Sequence, residues 1–319
     1  MTGSRSEERS RGAVADKAFG VLTAGAAWLV LALLAGAMLS TAWGGRLAFK
    51  TFGFGFVTGR DWDVGRASFG ALVPIYGTLV TSIIALIIAV PVSIGIALFL
   101  TDIAPRWVRG PIGIAVELLA AIPSIIYGMW GLFVFAPFMG AHVEPWLTTH
   151  LGGIPGLGAL FNGPPIGIGL LTAGVVLGIM IIPFISAVAR DVFNAVPAAL
   201  KESAVALGST RWEILSRVTL PYTRSAIIGA IFLGLGRALG ETMAVTFVLG
   251  NSHDLSASLL MPSNSIAAAI ANEFTEADTD LYRSSLIALA FLLFVVTFIV
   301  LSAAKLLLLR INRIHGRTH

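Results

Sequence analysis

Six apolar stretches, each long enough to cross a lipid bilayer as a helix, dominate the chain: Ala18–Ala42, Pro74–Leu100, Ile112–Phe138, Ile166–Ala189, Ala226–Leu249 and Leu286–Leu309. A hydrocarbon core of roughly 30 Å takes about 20 residues per helical crossing, so six crossings and their loops consume most of the 319 residues. Within the bilayer the backbone must satisfy its own hydrogen bonds, which makes continuous apolar segments of this length helical. The expected fold is an all-α integral membrane protein, a bundle of six transmembrane helices. Composition agrees, since 56% of residues are hydrophobic and 12% charged, where soluble domains carry about 25% charged residues. No large extramembrane domain fits the remaining length.

Basic residues orient the bundle. With the N-terminus in the cytoplasm, that side holds Arg5, Arg9, Arg11 and Lys17, then Arg106 and Arg109, then Arg190, Lys201, Arg211, Arg217 and Arg224, then Lys305, Arg310, Arg313 and Arg317, which is 15 of the 21 Lys and Arg residues. The outer loops hold Arg46, Lys50, Arg60, Arg66 and Arg283, and Arg237 is left inside a span. The positive-inside rule then places both termini in the cytoplasm. The net charge of +4 has the same origin, because the cations flank apolar segments instead of forming a stripe for nucleic acid. The first apolar run is too long for a signal-peptide core of about 7–15 residues and reads as an uncleaved anchor. Trp43, Phe52, Phe54, Phe56, Trp62 and Phe69 crowd the loop after it and are expected to sit at headgroup level.

Several chemistries are excluded. There is no Cys, hence no thiolate metal site, disulfide or cysteine nucleophile. His142, His150, His253, His315 and His319 fall in loops or the tail, none at metal-ligand spacing. An intramembrane enzyme would need a nucleophile and base, or ligating carboxylates and histidines, at membrane depth, and the spans offer none. No Gly-Lys-Ser/Thr triplet is present, so the chain carries no P-loop and any ATP hydrolysis must occur in a partner. No metal and no cofactor is expected on the chain itself.

Within the spans, Pro91, Pro123 and Pro183 are expected to kink helices that neighbours accommodate. The pairs Gly174 with Gly178 and Gly236 with Gly240 allow backbones to approach closely. Glu117 is expected to open the third span, where the helix dipole favours a carboxylate. The outer loops 139–165 and 250–285 are longer, and the second carries Glu273, Glu276, Asp278 and Asp280; both a docking surface and a solvated loop fit them.

The longest inner segment, Arg190 to Arg224, is structured by its sequence. Pro197 suits a helix first turn, Ala198 to Leu207 is rich in helix formers, and Gly208 suits a left-handed cap. Thr210 and Glu213 stand in capping-box register for a second short helix, which Pro221 is expected to end. The result is a stiff elbow with Leu207, Ile214, Leu215 and Val218 as candidate apolar knobs. From the residues alone it fits either a surface lying on the headgroups or a projection into a partner's groove.

Arg237 and Glu241 are the charges inside a span. A charge at the bilayer centre costs about 2.5–3.5 kcal/mol on insertion scales, so neither is expected to face lipid. Spacing of four places them on one helix face within pairing distance, with room left by Gly234, Gly236 and Gly240. Two readings stand. One is an ion pair that locks the bundle. The other is an anion path in which the Arg237 guanidinium attracts a dehydrated oxyanion, Glu241 competes for Arg237, and the carboxylate accepts the proton that hydrogen phosphate has and sulfate lacks.

Glu202, Ser203, Ala204, Gly208, Val218, Leu220 and Pro221 resemble the EAA motif of ABC importer permeases, which reads E-A-A, three residues, G, nine residues, I, one residue, L-P. Ser203 replaces Ala and Val218 replaces Ile. Three further stretches, Pro74 to Ser82, Glu117 to Gly131 and Leu235 to Thr246, resemble the PstC family of phosphate importer permeases, over about residues 70–309. The resemblance implies a type-1, MetI-like ABC permease bundle. It divides the chain into a cytoplasmic tail (1–17), a first helix with its periplasmic loop (18–73), a permease domain (74–309) and a second tail (310–319). It implies that Glu202, Ser203, Ala204, Gly208, Leu220 and Pro221 couple to an ATPase and that the chain forms half of a phosphate path in the inner membrane. It also implies a sister permease PstA, two copies of the ATPase PstB that use ATP and Mg, and a periplasmic phosphate-binding protein PstS. Another oxyanion, or a carrier driven by an ion gradient, are the alternatives left by the residues.

Overall fold

The computed structural model describes residues 3–315, with side chains from Asp16 to Arg310 apart from Leu307. Arg5, Arg9, Arg11, Arg313, Arg317, His315 and His319 therefore lie outside the described side chains. Among the described residues six helices are long and apolar enough to cross a membrane: Asp16–Gly44, Leu72–Ile103, Ser124–Leu151, Leu170–Asn194, Arg211–Leu239 and Asp280–Arg310. They are called the first to sixth spans below.

The second and fourth spans form the centre. Their contact is close because Gly174 and Gly178 present no side chain: a Cβ on Gly174 would lie 2.6 Å from Ile84, and one on Gly178 3.2 Å from the Ala85 carbonyl oxygen. Ala85, Ala89, Leu177, Ile181 and Ile185 are all under 2% exposed in this core. Pro91 and Pro183 stay inside continuous helices here, as packed neighbours allow. The other small pair behaves differently. Gly236 and Gly240 have no close neighbour, so they leave space instead of seating a helix.

The first span stands apart from the bundle, with Leu22, Trp28 and Leu33 all exposed. It docks at its end, where a Cβ on Gly45 would lie 2.8 Å from the Ala288 backbone and Ser284 Oγ donates to the Gly44 carbonyl at 2.8 Å.

The aromatic segment after it does not form the expected headgroup belt. Helices Arg46–Phe52 and Gly55–Thr58 and a two-stranded antiparallel hairpin, Trp62–Asp63 paired with Ser68–Phe69, fold into a second core. Phe56 and Phe69 are buried there with Tyr282 and Leu286 of the sixth span, because rings this close bury more apolar area against each other than against an interface. Only Trp43 and Phe54 keep the exposure expected of interfacial rings.

The third apolar segment, expected as one helix over Ile112–Phe138, is broken. Helix Arg106–Ala120 ends at Ala121, and a new run starts after Pro123 and continues to Leu151. Pro123 takes an extended ψ of 136°; its ring removes a backbone donor and disfavours the helical region for Ile122, so the helix stops before it. The outer loop expected to begin at 139 is helical to Leu151 for the same reason the span is: nothing after Phe138 stops the helix before Gly152. The fifth segment, expected over Ala226–Leu249, is also broken: its helix ends at Leu239, and a short helix, Met243–Leu249, follows. Pro221 does not end the elbow's second helix. A π-turn at Leu215–Thr219 widens the spiral just before the proline ring, so one helix runs from Arg211 to Leu239.

Candidate functional site

Contacts along the fourth span fix the level of both breaks. Gly113 lies against Arg190 near the end of that span, and Gly131 against Val176 near its start, so the Ala121–Pro123 break falls about midway along it. Gly234 seats against Ile185, and the Arg237 guanidinium lies 5.6 Å from the Phe184 ring centroid, also midway. Two helices thus lose their regular hydrogen bonding at one depth, where Gly128 of the third span abuts the Met243 carbonyl and Ala244. Non-helical backbone at membrane depth is tolerated where it is buried in protein or lines a watery cavity.

Local bonds hold each break. The Tyr127 hydroxyl donates to the Leu119 carbonyl at 3.0 Å, which also accepts from the Ile122 amide at 3.3 Å at the end of helix Arg106–Ala120. Glu241 Oε1 accepts from the Ala244 amide at 3.3 Å, which caps the short helix after the second break.

That geometry overturns the expected pairing of Arg237 with Glu241. Because the helix ends between them, spacing of four no longer brings their side chains together, and no ion pair joins them among the described residues. Arg237 is exposed in the single chain, on a face with Leu233, Gly240 and Met243, and Glu241 is half-buried. Sequence alone did not reveal Tyr127 or Phe184 as their neighbours. Spacing within one helix could not find them, because Phe184 lies on the unbroken fourth span and Tyr127 on the third.

Glu117 does not cap a helix start. It lies near the C-terminal end of helix Arg106–Ala120, where the dipole disfavours a carboxylate, and the Arg190 guanidinium compensates by pairing with it.

The elbow forms as expected in its first half. Helix Ala198–Ala206 is followed by Gly208 at φ 82°, and Thr210 and Glu213 make both bonds of a capping box. The Thr210 amide and hydroxyl both donate to Glu213 Oε2 at 2.9 Å. Glu202 and Ser203 are exposed, while Ala204 is buried. The knobs differ from expectation. Leu207 is 87% exposed, joined by Val205 and Trp212, whereas Ile214, Leu215 and Val218 are drawn partly inward as the Arg211–Leu239 helix continues.

A second polar cluster was not anticipated. Glu273, expected on an acidic loop, is half-buried and accepts from Trp62 Nε1 at 2.7 Å and the Tyr282 hydroxyl at 2.7 Å, with His253 Nε2 at 2.8 Å. Trp62 stacks on the His253 ring at 5.2 Å. Burial pushes the Glu273 carboxyl up, but these three partners outweigh it and leave it below its ordinary range. The loops around it are not simply solvated. The Leu259 amide donates to the Leu160 carbonyl at 2.8 Å and the Leu171 amide to the Leu259 carbonyl at 2.7 Å, so both long loops close over one end of the bundle.

Comparison with known proteins agrees with this architecture. Residues 89–313 match the family described as the binding-protein-dependent transport system inner membrane component. The phosphate transport system permease protein PstC of Xylella fastidiosa (strain Temecula1) is 59% identical over 306 residues, covering 96% of this chain and 94% of the relative. PstC of Mesorhizobium japonicum is 56% identical over 309 residues, with 97% and 94% covered. A chain of the crystal structure of a bacterial alginate ABC transporter, in complex with alginate pentasaccharide-bound periplasmic protein, superposes with a TM-score of 0.59 at 21% identity, covering 89% of this chain and 95% of that one. At that identity the superposition speaks for the fold alone.

Proposed function

The chain belongs to the family of binding-protein-dependent transport system inner membrane components, and from that premise we propose that it is one permease half of an ATP-driven phosphate importer. The observation that carries the reading is Arg237, an exposed cation at the level where the third and fifth spans both break. A half-path of this kind is completed by a second permease, and the exposed face with Leu233, Arg237 and Met243 is the side turned to it. The guanidinium keeps its charge when dehydrated and presents a fork matched to phosphate oxygens. Stacked near Phe184 and without a carboxylate partner among the described residues, it is open to an arriving anion.

Glu241 acts beside it, not against it. Oε1 is engaged by the Ala244 amide, which leaves Oε2 to accept the proton of hydrogen phosphate, a bond that sulfate cannot make at neutral pH. The elbow from Glu202 to Pro221 meets the ATPase, with Glu202 and Ser203 on its open face, Ala204 and Gly208 setting its turn, and Leu220 and Pro221 passing movement to the fifth span. The partners of this reading are PstA, two copies of PstB, which bind ATP and Mg, and PstS outside the membrane. The chain itself binds no cofactor, and both termini lie in the cytoplasm.

Purification of the tagged chain from its native membrane, followed by reconstitution into liposomes, tests the reading. A second permease and an ATPase co-purify, and phosphate uptake requires ATP and stops with vanadate. Uptake that follows an ion gradient without ATP would overturn it.

A further inference from the structure

We infer that Asp102 and Lys201 form a strut that makes the elbow move the bundle instead of pivoting beneath it. The inference rests on the coupling role proposed above for the elbow, and it adds residues that the EAA resemblance does not contain.

The chain attaches the elbow at two points. One is the Ala195–Pro197 link after the fourth span, and the other is the continuous helix from Arg211 into the fifth span. The first link is weak, because Pro197 has an extended ψ of 129° and interrupts the helix. A body held by one stiff arm and one bend can rotate about the bend.

The third attachment comes from the second span, 99 residues away in sequence. Lys201 Nζ donates to Asp102 Oδ1 at 2.7 Å, with 26% and 30% of the two side chains exposed. Asp102 Oδ2 lies 3.2 Å from the hydroxyl of buried Thr101, which also reaches the Ala97 carbonyl at 3.0 Å. Among the described residues this is the one side-chain polar contact between helix Ala198–Ala206 and the spans. Lys201 and Ala204 are the residues of that helix turned inward, three apart and therefore on one face, while Glu202, Val205 and Leu207 face outward.

Asp102 also sits at a distinctive place in its own span. Helix Leu72–Leu98 changes to a π-turn at Phe99–Ile103, an arrangement often found at functional positions. The widened turn delivers the carboxylate to the elbow. The second span packs along the whole fourth span, so a push on the elbow reaches the core through the strut as well as through the fifth span. Without it, part of each ATP-driven stroke rotates the elbow and is lost.

Lys201 and Asp102 are thus positioning residues, and the readout is the ratio of phosphate imported to ATP hydrolysed. The experiment uses the complete importer in liposomes, loaded with ATP and supplied with inorganic phosphate and the binding protein. D102N and K201M are each expected to assemble, to hydrolyse ATP at a rate near that of the parent, and to import several-fold less phosphate per ATP. The swapped double variant, D102K with K201D, recovers most of the ratio, and K201R recovers it partly. An unchanged ratio in both single variants, or an assembled swap that stays uncoupled, would overturn the strut. Loss of assembly in both single variants would overturn it too, by making the pair a folding contact. Failure of the unaltered complex to import phosphate with ATP would instead overturn the parent reading.

Discussion

Replacing Glu273 by alanine removes one carboxylate that three donors share. Trp62 Nε1, the Tyr282 hydroxyl and His253 Nε2 all lie within 2.8 Å of it, and they belong to the hairpin, the sixth span and the 250–265 loop respectively. A hydrogen bond to a charged group contributes about 1.5–3 kcal/mol, and three on one centre do not add fully, because water reaches the vacated donors. The carboxylate is 17% exposed, so screening removes little. The expected loss is about 3 kcal/mol of local stability, which is roughly a hundredfold in the opening equilibrium. Hydrogen exchange reads it directly at Ala71 and Leu72, whose amides bond to the Phe56 and Gly59 carbonyls and report closure of the 46–69 segment. Exchange there should accelerate roughly a hundredfold, with Ala85 to Ala89 in the central core unaffected. The same acceleration is expected on acidification of the unaltered protein. A carboxyl held below its ordinary value stabilises above that value and ceases to do so as pH falls through the depressed one. Exchange within about threefold of the parent would refute the clamp.

Other outcomes follow from the same geometry. Thr210→Ala removes the side-chain acceptor of the capping box and should cost the elbow about 1 kcal/mol, seen as lower phosphate uptake at unchanged expression. Gly77→Ala would drive a Cβ into the Asn264 carbonyl oxygen, where backbone cannot yield; a loss of about 3 kcal/mol and a lower melting temperature in detergent are expected. Glu241→Gln should keep its cap on Ala244 yet lose much of the preference for phosphate over sulfate, measured by competition in uptake.

The spans were legible because nothing competes with about 20 apolar residues for a bilayer. Their interruptions were not, because local sequence does not separate a kink from a break. Pro91 and Pro183 lie in the closely packed second and fourth spans and stay helical, whereas the third span breaks at Pro123. The pairing expected of Arg237 and Glu241 failed for a related reason: spacing of four implies contact only if the helix continues, and Gly240 ends it. The elbow's cap was readable because Gly208, Thr210 and Glu213 act over a few residues. Partners separated by 99 or 211 positions, Lys201 with Asp102 and Trp62 with Glu273, leave no local trace.

Arg237 carries the central claim, and one measurement addresses it: ATP-dependent phosphate uptake by the reconstituted complex with Arg237→Gln, alongside its ATPase rate. The account predicts an assembled complex that still hydrolyses ATP, with uptake reduced about thirtyfold, the scale set by a charge-assisted bond to the anion. Uptake within about twofold of the parent would place the anion elsewhere and contradict it.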